Sequence, residues 1–565
     1  MMRETLRFLA SPVRGLQAAV YVLAASALLS SLLALVRDRL FAGSFGAGAE
    51  LDIYYAAFRI PDFLFVMTGA LVSVYILIPE LLRRSSEKQK DYIDTVLLGF
   101  SALAVVLSSI AALLAPSLLV MLFPDFAARG YLPTLTVLTR IMLLQPILLG
   151  LSNILASITQ ARGRYILYAA SPLLYNLGII FGLLALYPYF GIAGLAWGVV
   201  LGAALHLGVQ LPSIVGEGFF RSLPSFSERS ALLQTAAISI PRALTLSMNQ
   251  ITFTGLTALA SGLSTGSIAV YIFGFNLMSV PLSVIGASYS VAAFPTLASA
   301  LAEGRAREFI EYVSTAARYI LFWSLPVIGL IIVLRAHIVR VILGSGSFDW
   351  TDTRLTAAVF ALLSISLAAQ ALMLLLARAY YAAGRTFVPF FIAVASTALT
   401  MYLAILFTGQ LAETSVLRFV ERVMRLEDVS GSAIVALPIA FSLVSIGGVV
   451  ALIVHFEQRF GGFFSLIKVS LMQAVLAGIG AALAAYATLV VVGPLTLSST
   501  LASVFIRGLA GGIAGVCAAV LVYAILRNRE YEETVSAIHG KLWKLPLPKA
   551  QPIASAEEIS ASSPQ

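Results

Sequence analysis

The sequence predicts an all-α polytopic membrane protein with about fourteen transmembrane helices, and three observations support this class. Hydrophobic residues make up 60% of the 565 residues, whereas Asp, Glu, Lys and Arg together make up only 11%. A soluble domain carries roughly 25% charged residues, so this chain has too little polar surface to coat soluble domains. Apolar stretches of about 20 residues recur along the chain, and a backbone crossing lipid must be helical. The composition excludes a soluble enzyme, a disordered chain and a disulfide scaffold.

Fourteen apolar stretches have the length of a membrane-crossing helix. The first is longer than the apolar core of a signal peptide, so we expect it to be a spanning helix. Four of the stretches are long enough to tilt or to extend beyond the bilayer. The predicted spans are 16–36, 53–82, 94–123, 135–161, 165–187, 190–212, 235–262, 268–302, 310–334, 353–382, 386–407, 431–455, 466–492 and 498–526.

The basic residues predict the orientation. Lys and Arg exceed Asp and Glu by nine, and 21 of the 36 basic residues fall in segments that are cytoplasmic if both termini are inside. Nine fall in the opposite loops and six within spans. Basic residues collect in cytoplasmic loops, so this distribution favours cytoplasmic termini and an even number of spans. The net charge of +9 therefore reports topology and needs no nucleic acid.

A weak internal repeat indicates two lobes of six spans each. Gly163-Arg164 follows the fourth span and Gly384-Arg385 follows the tenth, and Gly69 and Gly286 recur at nearly the same separation. Six spans are an even number, so both units have the same orientation, as in transporters with parallel repeats. The predicted parts are an N-terminal lobe at 1–225, a C-terminal lobe at 226–460, two extra helices at 461–527 and a cytoplasmic, partly disordered tail at 528–565.

One segment between spans has amphipathic character. In residues 408–430, Val416, Leu417, Val420, Val423 and Met424 fall on one helical face, and arginines and a glutamate fall on the other. This pattern predicts a short helix lying at the outer surface. A solvated loop with chance periodicity is the alternative.

Charged residues near the first two spans are the leading candidates for binding a polar cargo, because charges inside a membrane usually face a cavity or a partner. Arg37, Asp38, Asp52, Arg59 and Asp62 form the densest set. Arg59 and Asp62 are three residues apart and can pair on one helix face. Guanidinium groups bind phosphate bidentately, so one interpretation is a site for an anionic headgroup. The other is a set of ion pairs that joins two helices.

The seventh span carries a second group of candidates. Arg242 and Asn249 lie seven residues apart, which is two helical turns, and Gln250 follows directly. They are candidates for the same binding site. The alternatives are hydrogen bonds between helices and an arginine that extends to the inner interface.

No motif of an enzyme is present. The sequence contains no GxxxxGK[ST] phosphate loop, no HExxH and no GxSxG. With one cysteine and four scattered histidines, neither an intramolecular disulfide nor a metal site is expected. We therefore expect a transporter without a cofactor, driven by an ion gradient, by the membrane potential or by substrate flow.

Several colinear segments resemble the MurJ/MviN family of lipid II flippases, within the multidrug/oligosaccharidyl-lipid/polysaccharide exporter superfamily. Residues 35–64, LVRDRLFAGSFGAGAELDIYYAAFRIPDFL, are similar to the family's N-terminal signature. Further similar segments are Ala169–Asn176 (AASPLLYN), Phe275–Gly286, Gly344–Thr353 (GSGSFDWTDT) and Ala377–Pro389 (ARAYYAAGRTFVP).

The resemblance implies a fourteen-helix flippase of the bacterial inner membrane. Its cargo would be an undecaprenyl-pyrophosphate-linked peptidoglycan precursor, moved from the inner to the outer leaflet by alternating access between two lobes. The last two helices would hold the lipid tail. Central arginines of the family are thought to bind the pyrophosphate, and Arg37, Asp38, Asp52 and Arg59 match family positions. The partners implied are the cargo, membrane lipids and cell-wall synthesis proteins.

The chain departs from the family pattern at three positions where arginine is usual. Ser31, Phe65 and Asn276 stand there. Asn276 is counted among the candidate site residues. These departures leave two alternatives open: an exporter of another lipid-linked oligosaccharide or of a drug, and a membrane scaffold of cell-wall synthesis that does not transport.

Overall fold

A computed structural model of the chain describes residues 16–69, 83–211, 226–409, 414–493 and 500–539, together with positions 72, 77, 78, 80, 81 and 214. Every regular element in these ranges is helical, which confirms the predicted all-α class. The first half contains six helical segments: α1 (Leu16–Phe45), α2 (Ala49–Ala57 and Arg59–Gly69), α3 (Ser86–Leu122), α4 (Leu132–Ala161), α5 (Tyr165–Phe190) and α6 (Ile192–Gly208). A short helix, Pro124–Ala128, follows α3.

The second half and the C-terminal part are also helical. The second half comprises α7 (Arg229–Ser261), α8 (Ser267–Ala302), α9 (Ala306–Leu343), α10 (Trp350–Ser364 and Leu367–Ala382), α11 (Phe387–Thr408), α12 (Ser415–Met424) and α13 (Ser432–Phe460). The C-terminal part comprises α14 (Phe463–Val492), α15 (Leu501–Ile525) and α16 (Arg529–His539).

The chain crosses the membrane many times. Within the described ranges, nine helices are long and apolar enough to span a bilayer, and α10 makes a tenth if its two parts, bent by 43°, form one span. The polytopic character is thereby confirmed. The count of fourteen spans and the two-lobe boundaries stay predictions.

The first helix is longer than the sequence predicts. Its apolar stretch ends at Val36, but the helix continues through Arg37, Asp38 and Arg39 to Phe45. These charges are tolerated because each finds a partner: Arg37 pairs with Asp38, and Arg39 Nη1 donates to the carbonyl oxygen of Val341 at 2.7 Å. Buried polar groups are stable in a low-dielectric environment when they are hydrogen-bonded.

Glycines allow α5 and α6 to pack with their backbones in contact. A Cβ added at Gly198 would lie 2.5 Å from the Cα of Gly182, and Gly178 and Gly202 meet in the same way. Small residues spaced by four permit such close approach of membrane helices. A π-helical turn at Gly182–Leu186 interrupts α5 at this contact.

One set of contacts between the halves lies at the end that the predicted orientation makes the outer end. There the Ser347 N–H donates to the carbonyl oxygen of Gly43 at 2.8 Å, and the Ala47 N–H donates to the Asp352 carboxylate at 3.0 Å. With the Arg39 contact to Val341, three links join the end of α1 and the loop after it to the end of α9, the loop that follows and the start of α10. The halves are therefore closed against each other at this end.

The C-terminal helix α16 is docked through buried polar contacts. Glu530 is 1% exposed, and its carboxylate pairs with Arg318 of α9 at 2.9 Å and accepts hydrogen bonds from Ser470 and Asn528. Since α14 and α15 also pack against α9, these helices form a unit with the second half. The predicted tail beyond residue 539 lies outside the described residues.

Candidate functional site

The first part of the candidate site is a chain of side chains that joins both halves. Arg37 donates to Asp38 Oδ1 from Nε at 3.0 Å and from Nη2 at 2.8 Å, and its Nη1 donates to Asn176 Oδ1 of α5 at 3.0 Å. Asn276 of α8 donates from Nδ2 to the other Asp38 oxygen at 2.9 Å. Asn176, Arg37, Asp38 and Asn276 therefore form a continuous network across α5, α1 and α8.

The network compensates the charge of its arginine. Asp38 is only 2% exposed, and both of its oxygens accept hydrogen bonds. A charge-assisted pair of this kind is favourable in a dry environment only because its remaining polar atoms are satisfied. An anionic group that enters here must take the place of Asp38 on the guanidinium or extend the network.

The second part of the site is formed around Arg59 of α2. Its Nε donates to the carbonyl oxygen of Tyr55 at 3.1 Å, its Nη2 lies 3.5 Å from Asp62, and its guanidinium carbon lies 4.7 Å from the ring centre of Phe253 on α7. The side chain is 5% exposed, yet its Nη1 has no hydrogen-bond acceptor among the described residues. A buried guanidinium with an unused N–H can donate a hydrogen bond to an anionic oxygen.

Asp62 is held less tightly than Asp38. Its two oxygens lie 3.5 Å from Arg59 and from Gln145 Nε2, at the long limit of hydrogen bonding, and its side chain is 27% exposed. The hydroxyl groups of Tyr55 and Tyr271 are buried and find no partner in the described part of the chain. This part of the site therefore has unused hydrogen-bonding capacity.

Asp52 lies apart from both groups and connects the halves. Its carboxylate accepts the backbone N–H of Gly266 at 2.6 Å and that of Ala269 at 2.9 Å, at the N-terminus of α8. Gly266 has a left-handed backbone with φ of +88°, and a Cβ there would collide with the backbone of Ala47. The negative charge of Asp52 also complements the positive end of the α8 dipole.

The remaining predicted residues lie on α7. Asn249 is exposed, and Gln250 is partly buried with its Nε2 buried and without a partner among the described residues. Gln250 is three residues from Phe253, so it lies on the side of α7 that faces Arg59. The side chain of Arg242 lies outside the described part of the structure.

Four residues that other helices bring to Arg37, Arg59 or Asp62 were not predicted as site residues: Gln145, Asn176, Phe253 and Tyr271. Asn176 ends the AASPLLYN segment, whose similarity to the family was the one available signal. The other three follow only from the packing of α4, α7 and α8 around α2.

The positions that replace family arginines differ in their contacts. Asn276 has become part of the Arg37–Asp38 network. The hydroxyl of Ser31 donates to its own helix, at the carbonyl oxygen of Ala27. Phe65 packs against Gly69 on α2. Only the replacement at 276 therefore supplies a hydrogen bond to the charged network.

Comparisons with known proteins agree on one family. The family model described as lipid II flippase MurJ matches residues 41–506. A probable lipid II flippase MurJ of Buchnera aphidicola subsp. Acyrthosiphon pisum is 28% identical over 370 residues, which are 64% of this chain and 72% of that protein. A probable lipid II flippase MurJ of Thermotoga maritima is 27% identical over 365 residues, which are 64% of this chain and 73% of that protein.

Solved structures show the same fold. A lipid II flippase MurJ in an inward closed conformation superposes with a TM-score of 0.68 at 21% identity, over 91% of this chain and all of that one. An inward-facing multidrug resistance transporter of the MATE family, in the MOP superfamily, superposes with a TM-score of 0.59 at 14% identity, over 80% of this chain and 99% of that one. These likenesses establish a transporter fold. Because the family model covers more than four fifths of the sequence, the chain belongs to the MurJ lipid II flippase family.

Proposed function

We propose that this protein is a lipid II flippase, which moves the undecaprenyl-pyrophosphate-linked peptidoglycan precursor from the inner to the outer leaflet by alternating access. The observation that carries the proposal is the match of the family model across residues 41–506, which include Arg59, Asp62 and most of both halves. The protein is a membrane transporter, and no step of this function requires bond cleavage.

Arg37 and Arg59 would bind the pyrophosphate when its oxygens replace or join the carboxylates of Asp38 and Asp62 as hydrogen-bond acceptors. Arg59 offers an unused Nη1 and a loosely held partner, Asp62, so a phosphate oxygen can bind without breaking a tight ion pair. Arg37 is fully paired and would bind cargo only if Asp38 is released or shared. Phosphate suits both, since guanidinium binds it with two parallel hydrogen bonds.

The outer-end contacts would serve as the barrier that opens during transport. Asp52 at the α8 N-terminus and Asp352 at Ala47 both join the first half to the second. Opening toward the outer leaflet requires these hydrogen bonds to break. Cargo bound between the halves would then leave at that end.

The setting of the transporter follows from its charges. We place it in the bacterial inner membrane with both termini in the cytoplasm, as the excess of basic residues in the inner loops favours. The membrane potential or a coupling ion would drive the cycle, since each charge moved across the bilayer is worth about 2.3 kcal/mol per 100 mV. Cell-wall synthesis proteins are the partners expected for a supplier of the precursor.

Complementation tests this function directly. The endogenous flippase of a bacterium is depleted while this chain, Arg37→Ala or Arg59→Ala is expressed, and growth and membrane abundance are measured. We expect the unmodified chain to rescue growth and both variants to fail. Arg307→Ala is the matched control, because that arginine is 94% exposed on the opposite side of the molecule from the outer end.

Failure of the unmodified chain despite good membrane abundance would contradict lipid II as the cargo. Another lipid-linked oligosaccharide is the second candidate, favoured by the neutral Asn276 in place of a family arginine. Growth rescue with all arginine variants would instead indicate that Arg37 and Arg59 do not bind cargo.

A further inference from the structure

The apolar face of the short helix α12 is partly buried in the protein and partly exposed. Leu417 is only 6% exposed and belongs to the main hydrophobic core, where Val420 and Met424 also pack. Phe419 and Val423 lie on the other part of the face and are 63% and 49% exposed. Because these two residues are four apart, they form one ridge along the helix. Half of the apolar face is therefore anchored in the protein, and half is open.

The preceding helix, α11, also exposes apolar side chains near its C-terminus. In the last two turns of α11, Tyr402 and Ile405 are 62% and 58% exposed. In a protein that crosses the membrane many times, such side chains face lipid. Along the chain, the exposed ridge of α12 therefore comes shortly after a lipid-facing helix end.

Three arginines beside this ridge have no carboxylate partner among the described residues. Arg335 of α9 donates only to backbone oxygens, those of Ile332 and Val423. The hydrogen bond to Val423 brings the Arg335 guanidinium to the C-terminal end of α12, where Arg425 follows two residues later. Arg418 is exposed and forms no ion pair with a described residue.

The neighbouring carboxylates are already engaged. Glu427 pairs with Arg422 at 3.0 Å, and Asp428 pairs with Arg354 at 2.5 Å. The ion pair with Arg354, whose Nη2 also donates to the carbonyl oxygen of Arg425, fixes the end of α12 against α10. Like charges held together on a fixed surface attract an external anion.

We propose that α12 is an interfacial helix that binds phospholipid headgroups of the outer leaflet. Phe419 and Val423 enter the upper acyl region, and Arg335, Arg418 and Arg425 contact the phosphate groups. An amphipathic helix with arginines beside an apolar ridge has the pattern of a helix lying in the membrane interface. The occupant is a phospholipid of the surrounding bilayer, because the ridge is apolar and the adjoining groups are cationic. This inference does not depend on the identity of the cargo.

Spin labelling measures the depth of α12. Single cysteines at 419, 423 and 421 are introduced into a Cys517→Ser chain, labelled with a nitroxide and reconstituted in phosphatidylglycerol–phosphatidylethanolamine vesicles without lipid II. Labels at 419 and 423 should collide mainly with oxygen. The label at 421, two residues from each of them and therefore on the opposite, polar side of the helix, should collide mainly with a water-soluble nickel complex. Nickel access at 419 and 423 equal to that at 421 would overturn the proposal. Protection at these sites only in native membranes would indicate a protein partner and would equally overturn it.

Lipid retention measures the role of the arginines. Native mass spectrometry compares phosphatidylglycerol bound to the unmodified chain, to Arg418→Gln/Arg425→Gln and to Arg307→Gln, each extracted from the same vesicles. Each outer arginine near the surface should contribute about fivefold in affinity for the anionic lipid. The double variant should therefore lose bound phosphatidylglycerol while Arg307→Gln keeps it. Equal retention in all three chains would contradict headgroup binding by this helix.

Discussion

Asn276 shows how a single residue can preserve a charged network after a family arginine is lost. Its amide donates one hydrogen bond to Asp38, whose other oxygen accepts from Arg37. With asparagine in place of the family arginine, Asp38 keeps a donor, and the network of Arg37, Asp38 and Asn276 has no net charge. Hydrogen-bond satisfaction, rather than positive charge, is what this position supplies.

Substitutions at 276 should separate these two contributions. Asn276→Asp places a second carboxylate within 3 Å of Asp38. Like charges this close disfavour each other's ionised forms, and Asp38 Oδ2 loses the donor that Asn276 supplies. We expect Asn276→Asp to abolish rescue of flippase-depleted cells and Asn276→Arg, which restores a donor and a charge, to retain it. Full rescue by Asn276→Asp at equal membrane abundance would contradict a role for the network.

Asp52 controls the outer end through two backbone N–H groups. Asn in its place offers one acceptor oxygen, so one buried N–H loses its partner at a cost of about 1–3 kcal/mol. Asp52→Asn should increase outside labelling of a cysteine placed at 276 by a water-soluble thiol reagent. Thr500→Ala is the matched control, because Thr500 caps α15 locally at Ser503 and joins no halves. Equal labelling in both variants would argue against Asp52 as a link between halves.

Part of the site could be predicted because its contacts are local. Arg59 and Asp62 are three residues apart on one helix, and Arg37 and Asp38 are adjacent. The partners supplied by other helices could not be predicted, since Asn176 and Phe253 reach the site only through tertiary packing. The contact of Asp52 with the N-terminus of α8 could not be predicted for the same reason, because nothing in the sequence around Asp52 indicates it.

At the level of helices, α5 and α6 depend on glycine for their contact. Leu at 198 would force its Cβ into the backbone of Gly182, and overpacking of this kind costs about 1–3 kcal/mol. Gly198→Leu should lower the thermal unfolding temperature of the purified protein. Gly208→Ala, at a helical glycine with open space around it, should leave that temperature unchanged or raise it. An unchanged temperature for Gly198→Leu would contradict close backbone packing.

The docking of α16 was not visible in the sequence, because Glu530 reads as one more charge in a polar tail. In the structure it is the buried partner of Arg318. Apolar stretches predict spans well, whereas a polar helix is placed by contacts with distant residues such as Ser470.

Removing the charge of Glu530 should release this helix. Glu530→Gln leaves Arg318 buried without its counter-charge, which costs about 3 kcal/mol. We expect faster proteolysis after residue 527 than in the unmodified protein. Arg529→Gln is the control, since its pair with Glu533 is exposed and worth less than about 1 kcal/mol. Similar cleavage of both variants would show that the buried pair does not hold α16.

At the scale of the whole molecule, the predicted division into two lobes has a testable consequence for motion during transport. If each lobe moves as a body, contacts between halves must break during transport, whereas contacts within a half persist. The link between Gly43 and Ser345 joins α1 to the segment before α10, and so connects the halves. The hydrogen bond between Thr252 and Thr397, at 2.9 Å, joins α7 to α11 within the second half.

Disulfides at these two places should have opposite effects. A Cβ added at Gly43 lies 3.6 Å from the Cβ of Ser345, within the usual range for a disulfide. In a Cys517→Ser chain, oxidation of Gly43→Cys/Ser345→Cys should therefore lock the outer end and stop flipping of a fluorescent lipid II in vesicles, and reduction should restore it. Thr252→Cys/Thr397→Cys should stay active when oxidised, because its cross-link lies within one lobe. Loss of flipping in both oxidised pairs would show that the second half must deform internally, and continued flipping with the first pair locked would exclude the outer end as the barrier.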